Sequence, residues 1–174
     1  MSKKDDDQER EQVCIDYFLR VEKNLSGAVD GFDKQFFAVN LREIWSSFEA
    51  FLGWKFSAQS PNQMRSLYCK KYQAEFEKWK MSDEFKSSLQ TLTYMCPVKD
   101  MRPENPEDDV SIDDQKKLEQ ILKVCWRVRC NLDHGSKDLV SEDDRGRRNR
   151  ELVKHSTKVV YAILEKTLLE EKII

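Results

Sequence analysis

Residues 35–56, QFFAVNLREIWSSFEAFLGWKF, constrain the fold more than any other stretch of this chain. Their apolar side chains recur every three or four residues, the spacing of one face of an α-helix. A helix with so little polar circumference must be covered by other parts of the protein. We therefore expect it at the centre of a helical bundle or against a second copy of the chain. The face contains Phe37, Leu41, Ile44, Phe48, Phe51 and Leu52, with Trp45 and Trp54 in a second row.

Helical periodicity continues over most of the chain. The patterns predict helices at about 9–25, 35–56, 63–80, 83–95, 111–134 and 144–170. Ser82 and Ser111 are predicted N-caps, and Pro97 is predicted to stop the fourth helix. Five glycines and four prolines among 174 residues are too few for a many-turned β fold. The sequence therefore predicts an all-α fold, a single bundle of five to six helices spanning residues 1–174.

Two stretches are predicted to lie outside the helices. Residues 1–7 are expected to form a disordered tail. Residues 97–111 hold three of the four prolines and many acidic groups, so they are expected to form one long surface loop. The loop is interpreted as a solvated connector, with a lid or specificity loop as the alternative.

The overall charge gives no indication of a nucleic-acid partner. Thirty Lys and Arg residues face 32 Asp and Glu residues, which leaves a net charge of −2. Any basic binding surface must therefore be local. The polar start, MSKKDDDQER, does not resemble a secretion signal, and no apolar run reaches membrane-spanning length. These features predict a cytoplasmic protein without a membrane partner.

The cysteines predict reduced thiols. They are five in number, they form no CxxC pair, and the chain has only two histidines, so a tetrahedral zinc site is not expected. We expect them to behave as small buried hydrophobic residues of a cytosolic protein. The five are Cys14, Cys69, Cys96, Cys125 and Cys130.

Residues 118–140, LEQILKVCWRVRCNLDHGSKDLV, carry the candidate functional groups. At 100° per residue, an apolar arc is formed by Leu118, Ile121, Leu122, Cys125, Val128 and Leu132. Arg129 falls inside this arc, where an unpaired charge would cost several kcal/mol. Arg129 is therefore expected to pair with a carboxylate such as Glu43 or Glu49, to reach a subunit boundary, or to line an anion-binding cleft.

His134 precedes Gly135, which is predicted to end the helix. A helix C-terminus favours the protonated imidazole, so His134 is either a capping residue or a catalytic one. Asn131 is either an exposed amide or part of the same site. Arg129 and His134 are five residues apart and point about 140° away from each other on a straight helix. Two copies of the chain, packed about a two-fold axis, would bring the two groups together.

The segment RVRCNLDHGSKD resembles the signature of HEPN domains, in which Arg is followed by a spacer of four to six residues and then His at a helix end. One branch of that family has an Arg-x-Asn-Leu-x-His-Gly-x-Lys motif, which matches here at Arg129, Asn131, Leu132, His134, Gly135 and Lys137. IWSSFEAFLGWKF and the segment from residue 148 to 170 are also similar to helices of that branch. The family usually has a polar residue directly after the Arg, whereas this chain has Cys130.

The resemblance implies a small helical bundle that forms a homodimer. It also implies a metal-independent ribonuclease of toxin–antitoxin or anti-phage systems, with RNA as substrate and an antitoxin or regulatory protein as a candidate partner. Cytoplasmic location and the absence of any cofactor fit that class. The alternative is a catalytically silent HEPN module that acts through protein–protein interaction, with the aromatic residues of 35–56 as its docking face. A helical bundle unrelated to RNA is the third interpretation.

The chemistry of RNA cleavage assigns a role to each candidate residue. RNA carries its own nucleophile, the 2′-OH, so cleavage needs a base, an acid and a cation near the phosphate. His134 would serve as base or acid, Arg129 would hold the phosphate and Asn131 would orient either of them. His155 lies at core spacing and is predicted to be structural. The positive RNA-binding surface would come from Arg127, Lys137, Arg145, Arg147, Arg148 and Arg150, although a charge run such as 145–150 is more often a solvated face.

Overall fold

The computed structural model describes residues 3–26, 36–56, 60–99, 109–133, 139 and 141–174. Within these ranges the chain forms six α-helices that pack into a bundle, so the predicted all-α fold is confirmed. The helices are α1 (Lys3–Ser26), α2 (Phe36–Lys55), α3 (Pro61–Phe76), α4 (Asp83–Met95), α5 (Leu118–Asp133) and α6 (Asp144–Glu170).

Helix α1 begins earlier than predicted. Residues 3–7, expected to belong to a disordered tail, are helical, and only residues 1–2 of that segment lie outside the described part of the chain. Asp5 and Asp6 are in the first turn, where their carboxylates interact favourably with the helix dipole. The segment also lacks Gly and Pro, so the helical pattern that starts near Glu9 can continue toward the N-terminus.

Helix α2 occupies the centre of the bundle, as its apolar face predicts. It runs antiparallel to α1, where Ser47 Oγ donates to the carbonyl of Cys14 at 2.6 Å and Arg20 bonds to Glu43 at 2.9 Å. Helix α6 covers another side, where Thr157 donates to the carbonyl of Phe37. The buried residues of α2 are Ala38, Asn40, Leu41, Ile44, Trp45, Ser47, Phe48, Phe51 and Leu52. Because this face is buried within the chain, the exposed docking face expected in the alternative interpretation is not formed by these residues.

An aromatic cluster joins α2 to α3 and α6. Phe51 is fully buried and contacts Tyr68 edge-to-face, with ring centroids 6.2 Å apart, and Tyr72 at 6.5 Å. Phe48 contacts Tyr68 at 4.8 Å. The Tyr68 hydroxyl has a partner although it is buried, since it lies 2.6 Å from Thr167 Oγ1 on α6. The hydroxyl group of Tyr68 is therefore hydrogen-bonded inside the core.

Local capping signals position α4 and α6. Ser82 Oγ accepts the amide hydrogen of Phe85 at 3.1 Å, which confirms the predicted N-cap, and α4 ends at Met95, before Pro97. Asp143 caps α6 by accepting from the amide of Gly146 at 2.7 Å. A Cβ atom at residue 146 would lie 2.0 Å from the carbonyl oxygen of Ser141, so the close approach of the two backbones requires glycine there.

Helix α5 starts at Leu118, seven residues later than the predicted N-cap at Ser111. The preceding segment is held instead by side chains that come from elsewhere. The Oε1 atom of Gln120 accepts the amide hydrogens of Asp113 and Asp114, both at 3.0 Å. The amide of Leu118 donates to Gln73 Oε1 on α3 at 3.1 Å. These contacts satisfy backbone donors of the non-helical segment before α5.

The predicted loop at 97–111 is described only at its two ends. Val98 and Val110 form an antiparallel bridge, with N–O distances of 2.8 and 3.1 Å, and both side chains are buried. The ends of the segment are therefore joined and belong to the core rather than to a surface connector. Residues 100–108 lie outside the described part of the chain.

Among the described helices, none combines the length and apolarity needed to cross a bilayer.

Candidate functional site: an arginine-lined face of α5

The C-terminal half of α5 is buried over a wider arc than the one predicted, although Arg129 is only partly covered. The six apolar residues of the predicted arc are all buried, but Arg129 is not among them, since its side chain is 29 % exposed. Arg127 is the buried arginine, at 1 % exposure. Asn131, one turn further on, is buried as well and bonds to the backbone of Lys99. The prediction that Arg127 contributes to an exposed RNA-binding surface is wrong, because its side chain is enclosed in the folded chain.

Arg129 shares one carboxylate with an arginine from α2. Its Nε atom lies 2.8 Å from Oδ2 of Asp133, one helical turn further along α5. The other carboxylate oxygen, Oδ1, accepts a hydrogen bond of 2.8 Å from Nε of Arg42. The expected partners are engaged elsewhere, since Glu43 bonds to Arg20 and Glu49 accepts the indole hydrogen of Trp45 at 3.1 Å.

A third arginine reaches the same face from α3. The guanidinium carbon of Arg65 lies 4.3 Å from the ring centroid of Trp126, a cation–π contact. Arg65 also donates to the side-chain oxygen of Asn62. Burial lowers the pKa of Arg65, and the positive charge of Arg129 acts in the same direction, while Glu49 opposes it.

We call Arg42, Arg65 and Arg129, with Trp126 between the last two, the arginine stripe. Trp126, Arg129 and Asp133 are three and then four residues apart, so they follow one another along a single helix face. The stripe brings three guanidinium charges together against the carboxylates of Asp133 and Glu49. It is a local positive surface on a chain whose net charge is −2.

Asn131 is part of the scaffold. It is fully buried, and its Nδ2 atom donates to the carbonyl of Lys99 at 2.8 Å. The bond ties the last turn of α5 to the segment that carries Val98. The interpretation of Asn131 as an exposed amide is wrong, because the amide is enclosed. Its role in orienting His134 or the phosphate stays a prediction. The motif residues His134, Gly135 and Lys137 lie outside the described residues.

The four arginines at the start of α6 divide into two pairs. Arg145 and Arg147 are exposed, and Arg147 forms an ion pair with Asp144. Arg148 and Arg150 hold the backbone: Arg148 donates to the carbonyl of Met95 at 2.6 Å, and Arg150 to the carbonyl of Ser141, also at 2.6 Å. Arg148 is exposed like the first pair, so RNA could reach all three, whereas Arg150 is partly buried. The second pair joins α6 to its neighbours.

The cysteines are free thiols, and four of the five are buried, as predicted. Cys130, directly after Arg129, is 6 % exposed. Burial raises the pKa of Cys69 and of Cys125 to about 12, so these thiols stay protonated and unreactive at neutral pH. Among the described residues, no group of three His, Cys, Asp or Glu side chains is arranged to hold a metal ion.

His155 lies on α6, away from this face. Its Nε2 atom is 3.1 Å from Oε2 of Glu151, and its side chain is 13 % exposed. This hydrogen-bonded, partly buried position agrees with the predicted structural role. Burial lowers the pKa of His155, although Glu151 acts in the opposite direction.

The lowered pKa of His155 predicts a loss of stability in weak acid. An unfolded histidine titrates near pH 6.5, so the unfolded chain binds the proton more readily than the folded one. The stability that depends on neutral His155 is therefore complete above about pH 6.5, and it is lost as the pH falls through the pKa of His155 in the folded protein. We expect the melting temperature of the native protein to fall more than that of His155→Gln between about pH 7.5 and pH 5.5. Parallel melting curves for the two proteins over this range would contradict the expectation.

Sequence reasoning missed four of the residues that complete the face. Trp126 and Asp133 could have been found, since they share helical spacing with Arg129. Arg42 and Arg65 could not, because they come from two other helices and no local pattern links them to α5.

Comparison of the chain with models of known protein families, with characterised proteins and with solved structures finds no match to any of them.

Proposed function

We propose that this protein is a metal-independent endoribonuclease of the HEPN type, acting as a homodimer. The observation that carries the proposal is the placement of Arg129. It stands partly exposed on the last turns of α5, beside two further arginines and five residues before His134. A residue with a purely internal role would be expected in the buried arc, where Arg127 lies. A function as a toxin or anti-phage effector, under control of an antitoxin or regulatory protein, belongs to the same proposal.

The proposed reaction uses the 2′-OH of the RNA as nucleophile. The 2′-oxygen attacks phosphorus while a base takes its proton, and the bond from phosphorus to the 5′-oxygen breaks. An acid protonates the leaving 5′-oxygen, so the products are a 2′,3′-cyclic phosphate and a 5′-hydroxyl. His134 of each copy would supply one of the two proton transfers. Arg129 would stabilise the charge that develops on the phosphate oxygens.

The proposal is tested by incubating the pure protein with mixed single-stranded RNA in EDTA. We expect cleavage that continues in the chelator and leaves cyclic phosphate ends. The same RNA with 2′-O-methyl groups should stay intact, because its nucleophile is blocked. Failure of the protein to cut any RNA, or equal cutting of the methylated RNA, would contradict the proposal.

One set of contacts favours a second candidate, a catalytically silent HEPN module that acts by binding another protein. Two positions after Arg129 serve the scaffold, since Cys130 is buried and Asn131 is bonded to Lys99. Arg129 itself is held by Asp133. A silent module would leave RNA intact under all conditions, so the chelator experiment separates the two candidates.

A further inference from the structure

We propose that the arginine stripe binds the backbone of single-stranded RNA, with Arg42 and Arg65 contacting phosphates on either side of the one held by Arg129. This inference rests on the proposed function for the identity of the polyanion. It adds two binding residues from α2 and α3 that the sequence motif does not contain. The contacts below give the geometric reasons.

The first reason is the way Asp133 uses its two arginines. Within the described part of the chain, its oxygens form ion pairs with the Nε atoms of Arg42 and Arg129. A guanidinium has five N–H donors, and the two terminal nitrogens form the fork that binds a phosphate through parallel hydrogen bonds. The carboxylate therefore fixes the orientation of both side chains while leaving their forks outside this ion pair. The Arg42 side chain is 49 % exposed, so solvent reaches about half of it.

The second reason is the contact between Arg65 and Trp126. The indole ring backs one face of the guanidinium at 4.3 Å and so restricts where this side chain can point. One terminal nitrogen of Arg65 donates to Asn62, so a phosphate would be contacted through the remaining donors of this guanidinium. A pre-oriented cation loses less conformational entropy on binding than a free surface arginine does.

The third reason is the length of the stripe. Arg65 contacts the helix at Trp126 and Arg42 contacts it at Asp133, seven residues further on, which is about 10 Å along the axis. A polyanion can follow that distance, whereas a single phosphate ion contacts only one part of it. The chain as a whole carries a net charge of −2, so general attraction does not explain binding at this face.

The inference is tested by fluorescence anisotropy with a labelled 2′-O-methyl RNA, which the protein cannot cut. Arg42→Gln and Arg65→Gln should each weaken binding about 10-fold and reduce the slope of log K against log salt by about 0.7, the value for one phosphate contact on a single strand. Arg20→Gln is the matched control, because it removes the same charge from an exposed, ion-paired arginine on α1.

The results have distinct meanings. If Arg20→Gln weakened RNA binding as much as Arg42→Gln, the proposed stripe would be overturned, because loss of any surface positive charge would then have the same effect. Normal binding by both stripe variants would also overturn it, even if the native protein cuts RNA in EDTA. Stripe-dependent binding without any cleavage of unmodified RNA would support the stripe and reject the nuclease. Thermal melting of each variant identifies loss of fold, and Arg42, half exposed, keeps the test valid if Arg65→Gln unfolds the protein.

Discussion

Phe51→Ala is expected to lower the free energy of unfolding by about 3–5 kcal/mol, the usual effect of removing a buried phenylalanine. Phe51 is fully buried, and its ring meets those of Trp54, Phe56, Tyr68 and Tyr72 at centroid distances from 6.2 to 6.5 Å. Removing it leaves a cavity and also breaks edge-to-face contacts that add to the burial energy. Urea unfolding monitored by circular dichroism measures the change.

Tyr94→Ala is the matched control for this measurement. Tyr94 is 89 % exposed, so truncating it removes an aromatic ring without opening a cavity, and we expect a change within about 0.5 kcal/mol. The central position of α2 would be contradicted if the two variants lost similar stability. A loss by Phe51→Ala of less than about 1 kcal/mol would also contradict it, because buried phenylalanines are rarely so replaceable.

The central helix could be predicted because its information is local. Apolar spacing identified the buried face of α2, and the hydroxyl of Ser82 identified the start of α4. The start of α5 could not be predicted, since it depends on Gln73 from another helix and on a side-chain contact from Gln120. These amides look like ordinary surface residues in the sequence.

The candidate site was predictable in its position but not in its composition. The motif located Arg129 at the end of a helix, whereas its neighbours depend on how three helices pack. A helical wheel identified the apolar arc of α5, which is buried along the whole helix. It could not show that Arg127 and Asn131 would be buried as well, with Asn131 bonded to Lys99, while Arg129 stays partly exposed.

Arg129→Ala is expected to lower the rate constant for RNA cleavage at least about 100-fold, as loss of a donor to the transition-state oxyanion commonly does. Its melting temperature should change little, because the pair with Asp133 spans one turn at 29 % and 28 % exposure. Such pairs contribute about 0.3–0.5 kcal/mol. The partner is not a buried carboxylate, so a structural role for Arg129 no longer predicts a loss of several kcal/mol. Single-turnover cleavage in EDTA, with a melting curve for each protein, provides both values.

Arg129→Lys sharpens the interpretation. It keeps the positive charge but loses the planar fork, so a phosphate-binding role predicts partial activity between those of the native protein and Arg129→Ala. His134→Ala should reduce cleavage as strongly as Arg129→Ala, and the double variant should lose little more, because residues that act in one step are not additive. Full activity in Arg129→Ala would remove Arg129 from the reaction. If Arg129→Lys were no more active than Arg129→Ala, a positive charge at this position would not be sufficient for cleavage. The planar fork of Arg129 would then be required.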